Sequence, residues 1–357
     1  MNQSERKAVL ILEDGTEFSG YSFGYEKNTN GEVVFNTGMV GYPETMTDPS
    51  YRGQILVCTF PLIGNYGVPG DERVDGLYKN FESDEIHIRA LIISDYSENY
   101  SHWNAKKSLS EWMKEQKIPG IYNIDTRKLT RKLRDQGTML GKIIIDEKEK
   151  VDFDDPNLTD LVGEVCIKEP TEYKRNGKKI VLVDCGTKNN IIHAFLGRNI
   201  SVLRVPYDYD FAKEKCDGIV LSNGPGDPKM CKKTVEVTKE AMKKQIPILG
   251  ICLGSQILAL AAGANTYKLK YGHRGHNQPC NETGTKRCYI TSQNHGYAVD
   301  SETLPEDWRE WFTNDNDGTN EGLIHISKPF FAAQFHPEAS PGPDDSEFIF
   351  DMFVRAL

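Results

Sequence analysis

The ten residues 247–256, Pro-Ile-Leu-Gly-Ile-Cys-Leu-Gly-Ser-Gln, constrain the fold of this chain more than any other stretch. The first five residues form a short apolar run of the size of a buried strand, and a helix-like run from Gln256 to Ala262 follows. Cys252 stands between them with a glycine two residues away on each side, Gly250 and Gly254. Because glycine permits sharp turns, the pattern predicts a cysteine at a tight strand-to-helix turn.

A cysteine at such a turn is placed to act as a nucleophile, as the serine does in the strand–turn–helix motif of many hydrolases. The alternative is a structural cysteine on a core strand, since free cysteine is among the most buried residue types. The two flanking glycines of Cys252 favour the nucleophile.

Length and charge limit the class of protein. A chain of 357 residues is long enough for two domains, each with its own core. The formal charge of −9 and the lack of a dense Lys/Arg block argue against nucleic-acid binding. The N-terminal residues 1–15 lack a signal-like apolar segment, and the longest apolar stretch, 247–264, is better explained by a strand, a turn and a helix than by a membrane span. We therefore expect a cytoplasmic protein that does not bind membranes.

Eight cysteines are scattered along the chain without Cys-x-x-Cys pairs. With no export signal, this spacing indicates reduced thiols and neither a disulfide framework nor a zinc site. The sequence therefore predicts no metal site.

Residues 1–150 predict a mixed, β-rich domain. Residues 8–18 form a hairpin signal around Asp14-Gly15. Further strands are predicted at 54–59, 86–93 and 139–145, with helices at 108–116, capped by Ser108 or Ser110, and at 125–134, capped by Asp125. Residues 151–178 are charged and aperiodic, and we interpret them as a connector with one short helix.

From Lys179 to Leu357 short apolar strands alternate with helices, and a β-rich stretch follows Gly263. This order predicts an α/β domain: a doubly wound, mostly parallel sheet with helices on both faces. Such sheets place their sites at the carboxyl ends of the strands. Cys252 and the loop Ser222–Asp227 both follow predicted strands, so we expect them to lie together.

The segment Gln-Phe-His336-Pro-Glu338 supplies a candidate base. Pro337 favours an extended backbone at His336, and residues two apart in an extended chain point to the same side. Glu338 could then orient the imidazole, which gives a Cys–His–Glu arrangement for nucleophilic catalysis. The alternative is a surface histidine near a turn.

An oxyanion site would need backbone N–H groups close to Cys252. The residue after the nucleophile, Leu253, is one expected donor, and the loop Gly224-Pro-Gly226 at the end of the neighbouring strand is the other. An ordinary turn is the alternative for this loop. Residues 293–297, Gln-Asn-His-Gly-Tyr, form a polar patch that either holds a polar substrate or makes a hairpin turn.

His273 and His276 invite a metal-site hypothesis because of their spacing in Gly-His-Arg-Gly-His. No cysteine or carboxylate ligand set stands near them in the sequence. We therefore expect a structural or surface role for both.

Taken together, Gly-Ile-Cys252-Leu-Gly-x-Gln, Asn-Gly-Pro-Gly-Asp and Phe-His336-Pro-Glu338 resemble the class I, triad-type glutamine amidotransferases. GEVVFNTGMVGYPETMTDPSY, PLIGNYG, DTRKLTRKLRDQGTMLGK, YGHRGHNQPC, TSQNHGYAVD and QFHPEASPGP extend the resemblance to almost the whole chain. They are similar to the glutaminase, or small-subunit, portion of carbamoyl-phosphate synthetase, especially the form that begins the multifunctional pyrimidine-synthesis proteins of animals.

The resemblance implies that Cys252 attacks the side-chain carboxamide of glutamine, releases ammonia and forms a γ-glutamyl thioester that water hydrolyses. It implies that His336 moves the protons and that Glu338 orients His336. The partner would be a large synthetase subunit or domain that receives the ammonia and uses ATP and magnesium, and no cofactor is expected in this chain. The contacts to glutamine carry over to Ser50, Gly224, Gly226, Leu253, Gln256, Asn294, Gly296 and Tyr297.

One residue departs from the pattern: the family usually has histidine where this chain has Ser255. This departure keeps open a second hypothesis, a weakly active or inactive docking or regulatory subunit of the same synthetase. A third hypothesis is an amidotransferase that serves another acceptor, such as a purine or anthranilate. The roughly 150-residue first domain argues against it, because those relatives lack that domain.

Overall fold

The computed structural model describes residues 6–357. They form two compact units, one ending at Thr159 and the other running from Asp160 to Leu357. Their boundary falls inside the predicted connector 151–178, and the residues from 160 onward belong to the second unit. No helix in the described part of the chain is long and apolar enough to cross a membrane.

The first unit is built on a closed barrel of seven strands. The strands of this unit are β1 (Lys7–Leu12), β2 (Glu17–Ser22), β3 (Thr29–Asn36), β4 (Gln54–Cys58), β5 (Leu62–Ile63), β6 (Val68–Pro69), β7 (Arg73–Val74), β8 (Leu77–Tyr78), β9 (Ala90–Ile92), β10 (Asp95–Tyr96), β11 (Ala105–Lys107), β12 (Gly120–Tyr122) and β13 (Met139–Ile144). Its helices are α1 (Tyr42–Thr47), α2 (Leu109–Glu115) and α3 (Thr126–Gln136). The barrel order is β1-β13-β3-β4-β9-β12-β2.

Local signals in the sequence account for several of these elements. β1 and β2 pair as the predicted antiparallel hairpin. Ser108 caps α2 in a reciprocal capping box with Glu111, and the side chain of Asp125 accepts from Lys128 N at the start of α3. These caps satisfy N–H groups that have no partner inside the helix.

Two parts of the first unit differ from the prediction. The glycine-rich segment before Ser50 contains α1, which the sequence did not indicate. The predicted strand 86–93 pairs as a strand only at its end, as β9. Its earlier residues bond elsewhere: His87 N donates to Met46 O at 2.9 Å, and Arg89 N to Gln54 O at 2.7 Å.

The second unit contains one ten-stranded sheet. Its strands are β14 (Thr171–Tyr173), β15 (Lys179–Asp184), β16 (Ser201–Pro206), β17 (Gly218–Leu221), β18 (Ile248–Ile251), β19 (Asn265–Glu282), β20 (Cys288–Asp300), β21 (Trp308–Asn314), β22 (Asn320–His325) and β23 (Phe330–Ala333). Its helices are α4 (Leu161–Val165), α5 (Asn189–Gly197), α6 (Lys232–Lys243), α7 (Leu253–Ala262) and α8 (Phe348–Ala356).

The sheet order is β14-β16-β15-β17-β18-β23-β22-β21-β19-β20. The five strands from β16 to β23 run parallel to one another, and the remaining strands join antiparallel at the two ends. The mixed α/β class is confirmed, with the parallel arrangement confined to the centre of the sheet. β14 lies in the segment that we interpreted as a connector, where its three residues add an edge strand to β16.

The antiparallel end departs most from the sequence pattern. β21 was not predicted, and residues 293–297 lie inside β20 and not in a hairpin turn. β19 and β20 are long, and their register shifts twice, between Lys268 and His273 and between Gly275 and Gln278. Such bulges interrupt the two-residue alternation that identifies a strand in a sequence.

The parallel centre brings four polar segments to one edge of the sheet. Residues 185–188 follow β15, 222–227 follow β17, Cys252 follows β18 and 334–338 follow β23. The carboxyl ends of parallel strands lie at the same edge, where α/β proteins place their sites.

The last helix, α8, docks through an aromatic face. Phe350 is fully buried and packs edge-to-face on Phe195 of α5, with ring centroids 5.2 Å apart. Phe353 lies 5.9 Å from the same ring. Edge-to-face contacts of this kind add to the free energy gained by burial.

Phe350→Ala should lower the free energy of unfolding of the second unit by about 3–5 kcal/mol, because it leaves a cavity at this contact. The control is Ile326→Ala, since Ile326 is 63% exposed and its loss should cost less than about 0.5 kcal/mol. Urea unfolding followed by circular dichroism measures both. Equal unfolding midpoints for the two variants would contradict this account of how α8 docks.

Candidate active site

Cys252 occupies a strained turn between β18 and α7. Its backbone angles are φ 51° and ψ −106°, a conformation that is rare for any residue other than glycine. The side chain is 2% exposed, and its Sγ lies 3.6 Å from the carbonyl oxygen of Asn294. Strain at a single buried residue is typical of a functional position.

Gly250 and Gly254 are needed here for a different reason from the one we expected. Neither adopts a positive φ. A Cβ on Gly254 would lie 2.1 Å from the carbonyl oxygen of Leu221, and a Cβ on Gly250 would lie 2.5 Å from the oxygen of Gly254. The glycines therefore allow the strand and the helix to approach closely, while Cys252 itself carries the unusual backbone angle.

His336 and Glu338 form a buried pair. Each is 2% exposed, and His336 Nδ1 lies 2.6 Å from Glu338 Oε1. The pair forms in a turn, in which Ala339 N donates to the carbonyl oxygen of His336 at 3.1 Å. The prediction that these side chains meet is therefore right, but the chain turns at Pro337 and Glu338 and does not stay extended between the two residues as we assumed.

The protonation of this pair follows from its neighbours. Burial alone would lower the pKa of His336, but Glu338 and the nearby sulfur of Cys252 outweigh it and raise the pKa to about 10. Burial would raise the pKa of Glu338, but Lys188 and His336 lower it to about 2. His336 therefore carries two protons at neutral pH. Its Nε2 is buried and makes no hydrogen bond within residues 6–357.

Lys188 is the site residue that the sequence analysis missed. It is 3% exposed, and its Nζ lies 3.0 Å from Glu338 Oε1 and 2.5 Å from the carbonyl oxygen of Ala339. Asn190 Nδ2 also donates to the carbonyl oxygen of Glu338. The sequence does contain a signal for Lys188, because this residue belongs to a polar run directly after the buried strand β15. That strand ends at the edge of the sheet where Cys252 was expected.

The glycine loop 222–227 lies beside the turn that holds Cys252. A Cβ on Gly224 would lie 2.0 Å from the carbonyl oxygen of Cys185 and 2.9 Å from the side chain of Leu253. Gly226 has φ 82°. The structure thus brings together the two segments that were predicted to supply backbone donors.

The predicted substrate residues Asn294, Gly296 and Tyr297 lie on β20. Gln256 of α7 donates from Nε2 to the carbonyl oxygen of Tyr297 at 2.8 Å. This hydrogen bond, together with the contact between Asn294 O and Cys252 Sγ, places β20 next to the turn that holds Cys252. Ser50 lies in the first unit, where Asp48 accepts from its backbone N, and its contact with glutamine stays a prediction.

Ser255 is fully buried, and within the described chain its Oγ has no hydrogen-bond partner.

His273 is buried between two carboxylates, Asp317 and Glu321, that are distant in sequence. The sequence around His273 contains no carboxylate ligand set, so it did not reveal these two contacts. His273, His295 and Glu321 each offer a potential ligand atom, and these atoms lie within 4.8 Å of one another.

Comparison with known proteins agrees with this geometry. The family description "Carbamoyl-phosphate synthase small chain, CPSase domain" matches residues 10–143, and "Glutamine amidotransferase class-I" matches residues 181–356. The chain is 48% identical over 367 residues to the carbamoyl phosphate synthase arginine-specific small chain of Saccharomyces cerevisiae. That alignment covers 99% of this chain and 89% of the yeast protein.

Longer relatives match equally well. The chain is 54% identical over 354 residues to the multifunctional protein CAD of Squalus acanthias and 51% identical over 384 residues to the multifunctional protein ura1 of Schizosaccharomyces pombe. Each alignment covers 98% of this chain but only 16% or 17% of the relative. The chain therefore spans about a sixth of the length of these multifunctional relatives.

The second unit is a class-I glutamine amidotransferase domain, with its cysteine at the strand-to-helix turn. The chain as a whole belongs to the carbamoyl-phosphate synthase small-chain family, and the resemblance found in the sequence is confirmed.

Lys188→Met should destabilise the second unit and change its response to acid. The lowered pKa of Glu338 means that its ionised form contributes stability above the ordinary carboxyl pKa of 4.5, and this contribution is lost as the pH falls towards about 2. Without Lys188 the pKa of Glu338 rises back towards its ordinary value, so the variant should lose less stability than the wild type as the pH falls from 4.5 towards 2. At neutral pH we expect a cost of about 3 kcal/mol, as for other broken buried ion pairs.

Urea unfolding at a series of pH values measures this effect. Lys244→Met is the matched control, because Lys244 Nζ donates to the carbonyl oxygen of Ala212. If the acid dependence of Lys188→Met followed that of the wild type and of the control, Lys188 would not set the charge of Glu338.

Proposed function

We propose that this chain hydrolyses glutamine to glutamate and ammonia, and that the ammonia passes to a carbamoyl-phosphate synthetase large subunit or domain. The observation that carries the proposal is the strained Cys252 beside the buried His336–Glu338 pair, at the carboxyl edge of a parallel sheet. Nucleophile, base and orienting group in this arrangement are the parts that acyl transfer needs.

The reaction begins with attack of Cys252 Sγ on the side-chain carbonyl carbon of glutamine. The C–N bond breaks, His336 gives its proton to the departing nitrogen, and ammonia leaves a γ-glutamyl thioester. His336 then takes a proton from water, whose oxygen bonds to the thioester carbonyl carbon; the C–S bond breaks, Cys252 Sγ leaves with the bonding electrons, and glutamate is released. Glu338 holds the ring through Nδ1 and stabilises its charge, while Lys188 keeps Glu338 ionised.

Binding of glutamine would rest on the backbone around the turn. We propose that Leu253 N–H and the Gly224–Gly226 loop stabilise the oxyanion, because donors aimed at the developing charge lower the barrier of acyl transfer. Gln256, Asn294, Gly296 and Tyr297 would hold the rest of the substrate. The partner would supply the ATP and magnesium chemistry, so this chain would need no cofactor of its own.

A second function has one observation in its favour. The buried hydroxyl of Ser255, which lacks a partner within the described chain, lies one turn beyond Cys252. Looser packing there would favour a weakly active or inactive docking subunit. The match of residues 10–143 to the small-chain domain favours a synthetase over a purine or anthranilate acceptor.

Cys252→Ala should abolish glutamate release from glutamine, because the variant lacks the attacking sulfur. Cys216→Ala, which removes a partly exposed thiol elsewhere in the same unit, should retain wild-type turnover. A coupled glutamate assay measures both variants, and circular dichroism checks that both are folded. Turnover by Cys252→Ala at the wild-type rate would refute the proposed nucleophile.

The partner supplies a separate test. We expect weak turnover by the isolated chain and a rise when a synthetase large subunit is added. No glutamate release in either condition would favour the docking subunit. Equal turnover in both would argue against activation by the partner.

A further inference from the structure

A second group of titratable side chains lies outside the Cys252–His336–Glu338 site. His273, His295 and Glu321 are each at most 6% exposed, and the carboxylate of Asp317 is partly exposed beside them. The hydrolysis steps proposed above use none of the four. Buried charged groups are costly unless they are paired, so their presence calls for a role.

His273 sits between two carboxylates. Its Nδ1 lies 3.0 Å from Glu321 Oε1, and its Nε2 lies 2.9 Å from Asp317 Oδ2. A neutral imidazole has one N–H and a protonated one has two, so donation to both carboxylates requires the imidazolium. Burial would lower the pKa of His273, but Asp317 and Glu321 outweigh it and raise the pKa to about 9.

Glu321 is the centre of this group. Burial raises its pKa, and His273 acts against that shift. Its Oε1 also accepts from Asn314 Nδ2 at 3.0 Å. The His273 cation is therefore the group that favours the ionised form of a carboxylate that water does not reach.

His295 lies on β20, the strand that carries the predicted substrate residues Asn294, Gly296 and Tyr297, and it packs against His273. The ring of His295 lies edge-to-face against His273, with centroids 5.0 Å apart, and its Nε2 is 3.8 Å from Glu321 Oε2, which is too far for a hydrogen bond. Burial lowers the pKa of His295 well below its usual value, so the ring is neutral. Its Nδ1 lies 2.8 Å from the carbonyl oxygen of Tyr297 and donates to it.

The same carbonyl of Tyr297 accepts from Gln256 Nε2 of the helix after Cys252. Gln256 Nε2 also donates to Gln334 Oε1 at 3.0 Å, and Gln334 N donates to the carbonyl oxygen of Glu321 at 2.8 Å. These hydrogen bonds connect the backbone of Glu321 to β20 beside Cys252 and to the segment that leads to His336.

We propose that His273 is a positioning residue for glutamine: as an imidazolium that bridges Glu321 and Asp317, it holds His295 and the backbone of residues 294–297 in place beside Cys252. This role rests on the proposed hydrolysis of glutamine. His273 does not touch the reacting atoms and acts through Glu321 and His295.

His273→Asn removes the cation and keeps one hydrogen-bond donor. We expect the KM for glutamine to rise at least about tenfold with a smaller change in kcat, the size of effect that follows the loss of a buried hydrogen bond to a charged group. The double variant His273→Asn/Glu321→Gln should recover part of this loss, because it no longer buries an uncompensated carboxylate.

His325→Asn is the matched control. His325 is also buried on the same sheet, and its Nε2 lies 3.0 Å from Asp307 Oδ2. None of its hydrogen bonds reaches residues 294–297. Its KM should equal that of the wild type, whatever the effect of the substitution on thermal stability.

The pH profile separates positioning from general stability. The groups that face His273 are Asp317, Glu321 and His295. Because the pKa of His273 is raised to about 9, the imidazolium is intact at neutral pH and is lost as the pH rises through that value. In the wild type the KM should therefore rise above about pH 9, and in His273→Asn this step should be absent.

Two measurements on the wild-type chain keep this test independent of the proposed function. Nitrogen NMR of the His273 ring at neutral pH should show both nitrogens protonated, whether or not the chain hydrolyses glutamine. A metal analysis should find no stoichiometric zinc, since zinc on His273 Nδ1 would displace its proton.

The inference is overturned if folded His273→Asn has the wild-type KM, if the ring is neutral at neutral pH, or if zinc is bound at this group. A wild-type chain that releases no glutamate would instead count against the proposed function, and the NMR result would still decide the charge of His273.

Discussion

The candidate site depends on a buried charge arrangement in which His336 lies between Glu338 and the sulfur of Cys252, while Lys188 holds Glu338 from the other side. Removing such charges from water is costly, and buried ion pairs often add little net stability. Glu338 Oε1 lies 2.6 Å from His336 Nδ1 and 3.0 Å from Lys188 Nζ. We therefore attribute these contacts to the function of the site and not to a gain in stability. Their effect is to keep a proton on His336 Nδ1 and to fix the direction of the ring.

The parallel centre of the sheet makes this arrangement possible. Lys188 follows β15, Cys252 follows β18 and His336 follows β23, so three segments far apart in sequence meet at one edge. The antiparallel end then adds β20, whose residues 294–297 lie beside Cys252. The chain thus combines a common parallel core with a specific antiparallel extension, and the proposed substrate contacts come from both.

The sequence predicted the parts of this architecture that depend on local pattern. The Asp14-Gly15 hairpin, the caps at Ser108 and Asp125, and the strand–turn–helix at Cys252 are each encoded within a few neighbouring residues. The meeting of His336 and Glu338 was also predicted, but on the assumption of an extended chain, whereas the structure brings the two side chains together through a turn.

What the sequence could not show depends on distant partners. Lys188 acts on Glu338, which is 150 positions further on, and His273 meets Asp317 and Glu321 more than forty positions away. The closure of seven strands into a barrel and the bulged pairing of β19 with β20 are set by tertiary contacts, and no local period encodes them.

The central claim is that Cys252 forms a covalent bond to the glutamyl group, and trapping that thioester tests it most directly. The chain would be mixed with isotopically labelled glutamine, quenched in acid within one turnover and digested, and its peptides analysed by mass spectrometry. We predict a labelled γ-glutamyl adduct on the peptide that contains Cys252 and on no other cysteine peptide. Release of labelled glutamate without any adduct on Cys252, or with an adduct on a different cysteine, would contradict the account.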